Sequence, residues 1–216
     1  PGDPARIALG PFATDEMVEQ LRETLHLNES IFIQYGIFIE KLFQGDLGIS
    51  TYTKRPVLVD IVSYFPATFE LVLMSGLLMI LIGMPLGILS GKFKNSIIDN
   101  VARLISLLGV VTPSFLWAII LMLIFAFWFP ILPVSERMNE ALDPPTLVTG
   151  LLLVDSLLEG NFKVFGDAFL HLILPGLAIA LPAIGNVARL TRTNLSDVYE
   201  KQYIEFAKSY SFSEYR

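Results

Sequence analysis

Three apolar runs, at about residues 69–91, 105–129 and 169–187, interrupt a chain that is otherwise polar and charged. A hydrocarbon core about 30 Å thick takes about 20 helical residues at about 1.5 Å each, so each run is long enough to cross it. No Asp, Glu, Lys or Arg falls between Ile105 and Phe129, a uniformity that soluble core helices rarely show. The pattern predicts an all-α membrane protein with three spans. Two other apolar stretches, 30–43 and 146–158, are too short to cross and are expected to lie at the outer membrane surface, with a re-entrant piece as the alternative at 146–158. Residues 14–27 read as a short exterior helix, with Thr14 as N-cap and Met17, Val18, Leu21 and Leu25 on one face.

Charge orients the spans. Residues 1–65 hold five basic and nine acidic side chains, and 130–168 hold two and six; 91–104 hold three and one, and 188–216 hold five and four. Lys and Arg gather on the cytoplasmic side, which predicts an outside segment at 1–65, an outside loop at 130–168, and an inside loop at 91–104. The 188–216 tail is then inside as well. The transmembrane domain is expected to run over 66–216. An outside first segment needs a preceding signal or span, which residues 1–6 (PGDPAR) do not supply, and the chain stops inside an amphipathic stretch. A longer protein is expected.

Gly83, Gly87 and Gly91 recur at i, i+4 and i+8, stripping one helical face of side chains so that another helix can approach closely. Pro85 lies between them, Pro113 lies in the second run beside Thr112 and Ser114, whose hydroxyls can satisfy freed backbone groups, and Pro175 and Pro182 lie in the third. These are candidates for kinks and for a pathway. Simple structural kinks would place proline at the same positions.

Little else in the chain suggests chemistry of its own. The net charge is −6 and there is no cysteine, which removes nucleic-acid binding, thiol chemistry and Cys-type zinc sites. His26 and His171 are too far apart for a helical metal pair, and no catalytic or metal residue is assigned. Residues 87–92 (GILSGK) have three residues between the glycines where a phosphate loop needs four, and Phe93 where it needs Ser or Thr, so nucleotide binding is not expected. Glu70 and His171 lie near the outer boundary, where water or headgroups can solvate them. In the tail, Tyr199, Tyr203, Phe206 and Tyr210 form an aromatic stripe on one helical face, suited to a lipid surface or a partner's groove.

Several stretches together resemble a known family: PGDPA (1–5), QYGIFIEKLFQGDLGIS (34–50), FPATFELVL (65–73), IGMPLGILSG (82–91), TPSFLWAIIL (112–121), LPVS (132–135), HLILPGLAIALP (171–182) and ARLTRTNL (188–195). In order and spacing they are similar to the permease subunit of ABC importers of the dipeptide, oligopeptide and nickel type, the first of the two permeases. The resemblance implies an ABC importer permease-type helical bundle of six spans, of which this chain holds the second to fourth. It also implies a second permease subunit and two cytoplasmic ATPase subunits carrying ATP and Mg, with no cofactor on this chain. An extracytoplasmic substrate-binding protein completes that assembly in the cell membrane. The family's cytoplasmic coupling loop then falls at Tyr203, Glu205, Phe206, Ala207 and Ser211. Phe206 stands where the family has a small residue and Ser211 where it has a turning glycine. A non-transporting membrane scaffold, or a degenerate permease paralogue, is the alternative.

Overall fold

The computed structural model describes residues 2–199 and 201, and the chain divides into two compact units, 1–65 and 66–216. The stretch predicted to carry the coupling contacts (Tyr203, Glu205, Phe206, Ala207, Ser211) lies outside the described residues.

In the first unit, α1 (Pro4–Leu9) starts on Asp3, whose carboxylate accepts from Ala5 N at 3.2 Å, and ends at Gly10 with φ 87°. Proline at the first helical position and a left-handed glycine after the last are what the orphan groups of helix ends favour. Helix α2 (Asp15–Thr24) is capped by Thr14, which accepts from Met17 N at 3.3 Å, and buries Val18. Met17 remains exposed. Arg22 donates to Asp3 at 3.0 Å and Arg6 pairs with Asp15, so the two short helices are pinned by charge at both ends. Helix α3 (Ile31–Phe43) buries none of its residues and leaves Phe32 and Phe43 exposed.

Helix α4 (Val57–Lys92) has 36 residues and α8 (Phe162–Tyr199) has 38. At about 1.5 Å per residue both exceed a 30 Å hydrocarbon core. They are the two continuous helices long and apolar enough to cross a membrane among the described residues. Both begin earlier than their apolar runs, at Val57 and Phe162.

The middle run does not form one helix over 105–129. Helix α5 (Ile97–Val111) begins inside the stretch expected to be a loop, and α6 (Ser114–Met122) continues as a π-helical turn over Leu123–Trp128. The two halves are bent by 111°. Pro113 causes the break: its ring disfavours helical backbone at the preceding residue, and Thr112 accordingly sits at φ −84°, ψ 124°. The pair makes a third membrane element only as a bent unit.

Helix α7 (Leu152–Leu158) occupies only part of the 146–158 stretch. Only seven residues are helical, with Leu152, Asp155 and Ser156 buried. Leu152 packs with Val164 and Ala168 of α8, and Met138 and Leu142 of the preceding loop cover them. A second cluster joins Leu121 of α6 to Leu174 and Ala178 of α8. Helix α8 is therefore the post on which α5, α6 and α7 are hung.

Candidate functional site

The glycine stripe of α4 faces α8. A Cβ on Gly87 would lie 2.5 Å from Thr191 Cβ and 2.7 Å from Ala188 O, while one on Gly83 would lie 3.1 Å from Val187 Cβ and one on Gly91 3.1 Å from Leu195 Cβ. The other side of α8 does the same with α5, where a Cβ on Gly185 would meet Ser106 O at 2.5 Å and one on Gly109 would meet Leu181 O at 2.7 Å. Backbones in this three-helix seam approach as closely as small residues allow.

One end of the seam is closed by a buried ion pair. Ser96 caps α5 and accepts from Asp99 N at 3.3 Å, which aims the Asp99 carboxylate back across the helix start. Asp99 is fully buried. Its Oδ1 accepts from Arg192 Nε at 2.6 Å and from Ser90 Oγ at 2.6 Å; its Oδ2 accepts from Arg192 Nη2 at 2.9 Å and from Asn95 N at 3.0 Å. Arg103 stands 3.4 Å away. The fork-on-fork pairing with Arg192 is the geometry in which guanidinium and carboxylate bind best. One carboxylate thus joins the end of α4, the turn, the start of α5 and the far part of α8. We call this the basic end, since Lys92, Lys94, Arg103, Arg189 and Arg192 gather there.

At the opposite, acidic end a second carboxylate does comparable work. Glu70 is 6% exposed, with Oε2 accepting from Arg137 Nη2 at 2.7 Å and Oε1 accepting from Leu153 N at 2.6 Å. It is therefore paired inside the protein and not left to water or headgroups: the 130–151 loop brings in a cation to match it. The loop is tied further by Asp155, which accepts from Thr149 N at 2.9 Å and Thr149 Oγ1 at 2.7 Å with one oxygen, and from Gly150 N at 3.0 Å and Val148 N at 3.3 Å with the other. Burial pushes the Asp155 carboxyl up, but these hydrogen bonds outweigh it and hold the group below the usual carboxylate value. Asp167 accepts from Asn139 N at 2.6 Å, and His171 Nδ1 lies 2.8 Å from Asp167 O. His171 also lines two cavities of about 290 and 240 Å³, which share Glu136 and Pro175 as their common wall.

The proline and hydroxyl candidates are spread over α4, the α5–α6 break and α8. Pro85 is exposed on the face of α4 away from its glycines, Pro113 and Ser114 are exposed at the α5–α6 break with Thr112 half-buried beside them, and Pro175 and Pro182 fall inside α8 two turns apart. Among the described residues no three His, Asp or Glu side chains could hold a metal.

Sequence reasoning used Asp99 and Arg192 only as counters of topology, and did not single out Gly109, Gly185 or Arg137. A signal was present for the first pair. Ser96 and Asp99 have capping-box spacing, and Gly185, Ala188 and Arg192 stand at i, i+3 and i+7 on one face of α8. Arg137 comes from an irregular loop, where no periodicity could have pointed to Glu70.

The model of the family described as "Binding-protein-dependent transport system inner membrane component" matches residues 83–216. The chain is 43% identical, over 97% of its length, to the probable D,D-dipeptide transport system permease protein DdpB of Escherichia coli, covering 62% of that protein. It is 37% identical over 94% of its length to the dipeptide transport system permease protein DppB of Alkalihalophilus pseudofirmus, covering 61% of it. Against the protein of the same name in Escherichia coli the figures are 32%, 97% and 62%. The chain thus spans less than two thirds of the length of these curated relatives.

Proposed function

The chain belongs to the family of binding-protein-dependent transport system inner membrane components, and from that premise we propose that it is a permease subunit of an ATP-driven peptide importer. It is an all-α membrane protein of the inner membrane. In this reading it forms a solute path with a second permease, receives peptide from an extracytoplasmic binding protein, and is driven by two ATPase subunits that carry ATP and Mg. The relatives named for dipeptides support a small peptide as the solute. The excess of Lys and Arg at the basic end supports a cytoplasmic placement for that end and for the coupling segment beyond α8.

The observation that carries the reading is the joint of Asp99, Ser90 and Arg192. A permease without hydrolytic groups must pass movement from a cytoplasmic contact to its spans, and movement passes through elements packed tightly enough to shift together. In sequence, α8 precedes the proposed coupling residues, and the buried pair fastens it to both neighbouring helices.

The test is reconstitution of the full-length protein with its second permease, ATPase subunits and binding protein in proteoliposomes. Tyr203→Asp with Phe206→Asp should release the ATPase in co-purification and abolish ATP-dependent uptake of a labelled dipeptide, while the two permeases still co-purify. Uptake equal to that of the unaltered protein would leave the chain as a scaffold.

A further inference from the structure

A cavity of about 410 Å³ opens beside the buried ion pair, its wall including Arg103, Arg189, Arg192, Ser106, Leu107 and Val110. Its volume lies within the about 300–1,000 Å³ of small-molecule sites. Three guanidiniums meet there and Asp99 is the carboxylate that answers them. Arg192 takes both oxygens of Asp99. Arg103 bonds to the Asn100 amide oxygen at 2.6 Å and reaches Asp99 only at 3.4 Å, and Arg189 bonds to the Asn186 amide oxygen at 3.2 Å. The slot therefore carries two positive charges in excess. Leu107 and Val110, at i+4 and i+7 from Arg103 on α5, make the rest of that wall apolar.

We propose that this slot binds the phosphate of an anionic phospholipid. Guanidiniums present paired N–H donors to phosphate oxygens, and the apolar wall suits the glycerol and first acyl carbons. The slot lies at the basic end of the spans, where the positive-inside pattern puts the cytoplasmic leaflet, and that leaflet is the anionic one. A free inorganic phosphate or the carboxylate of a passing peptide would satisfy the guanidiniums but leave Leu107 and Val110 facing water. The lipid satisfies both the charged and the apolar part of the lining. A headgroup held there would sit against the Ser90, Asp99 and Arg192 joint and lend the membrane a hold on it.

The site is tested by native mass spectrometry of the full-length protein released from detergent, after titration with phosphatidylglycerol or phosphatidylethanolamine. The unaltered protein should retain one phosphatidylglycerol in preference to phosphatidylethanolamine. Arg103→Gln with Arg189→Gln should weaken that binding about thirtyfold, at about 1 kcal/mol per cationic side chain facing an anionic leaflet and tenfold per 1.4 kcal/mol. Leu107→Trp, which keeps every charge but fills the slot, should also lose the lipid. Arg103→Lys with Arg189→Lys should retain most of it and guards against a folding artefact. No preference for phosphatidylglycerol, or retention in both the double Gln and the Trp variants, would overturn the proposal. Displacement by millimolar inorganic phosphate or by a dipeptide would assign the slot to a free anion and overturn it equally. Because no uptake is measured, these outcomes are independent of the transport reading.

Discussion

At the scale of single residues, the glycines of the seam differ in what they forbid. A methyl on Gly185 would meet the backbone oxygen of Ser106 at 2.5 Å, and backbone cannot step aside alone. On Gly83 the nearest atoms are those of the Val187 side chain at 3.1 Å, with Ile184 O at 3.2 Å, a squeeze of only a few tenths of an ångström. Overpacking a tight contact costs about 1–3 kcal/mol, against about 1 kcal/mol gained when alanine replaces glycine in a helix. Gly185→Ala is therefore expected to lower stability by about 2 kcal/mol and Gly83→Ala to change it by less than about 1 kcal/mol, as read by thermal unfolding in detergent. Asp99 sets a second contrast. Removing one partner of a buried pair strands the other, at about 3–5 kcal/mol; Arg192 keeps 20% of its side chain exposed, which places Asp99→Asn near the lower figure. An unfolding temperature unchanged in Asp99→Asn would mean that Arg192 finds water as easily as it finds Asp99.

At the scale of elements, apolar length was legible and continuity was not. The runs at 69–91 and 169–187 lie within α4 and α8, because hydrophobic length dominates there and Pro85, Pro175 and Pro182 are absorbed without ending either helix. The run at 105–129 has the same composition yet folds back at Thr112, and nothing in hydropathy distinguishes a proline that kinks from one that breaks. Restoring the N–H and the helical backbone with Pro113→Ala should straighten the pair. Spin labels at the exposed positions Leu104 and Phe127 would then move apart toward about 35 Å, the length of 23 residues of continuous helix; an unchanged distance would assign the bend to packing on α8. The loop joining α6 to α7 was illegible for another reason. It is held by Arg137 on Glu70 and by Asp155 and Asp167, whose partners are mostly backbone N–H groups, and spacing in sequence does not encode those. Its pH response follows from Asp155. A carboxyl held below its ordinary value in the folded state adds stability that is full above the unfolded value of about 3.9 and is lost as pH falls through the lower folded value. The protein should therefore lose stability below about pH 4, and Asp155→Asn, already weaker at pH 7, should lose less over the same fall.

At the scale of the whole molecule, the seam predicts which helices travel together. If α4 and α8 are one body during transport, locking them should be harmless; if they slide, the same lock should stop uptake. These 216 residues hold no cysteine, so a pair introduced across the seam meets no other thiol among them. Positions Gly91 and Leu195 suit it, since a Cβ on Gly91 would lie 3.1 Å from that of Leu195, a few tenths short of the about 3.5–4.5 Å of a relaxed disulfide. We expect the oxidised Gly91→Cys with Leu195→Cys protein, reconstituted with its partners, to take up labelled dipeptide within about twofold of its reduced form. The reasoning is steric: Gly87 already leaves no room for a methyl against Thr191 and Ala188, and such a contact resists sliding in small steps because packed interiors are bistable and do not deform continuously. Uptake lost on oxidation and recovered on reduction would show that α4 and α8 part during the cycle. The moving boundary would then run through the Ser90 to Asp99 contact, and the joint at the basic end would be a latch that opens.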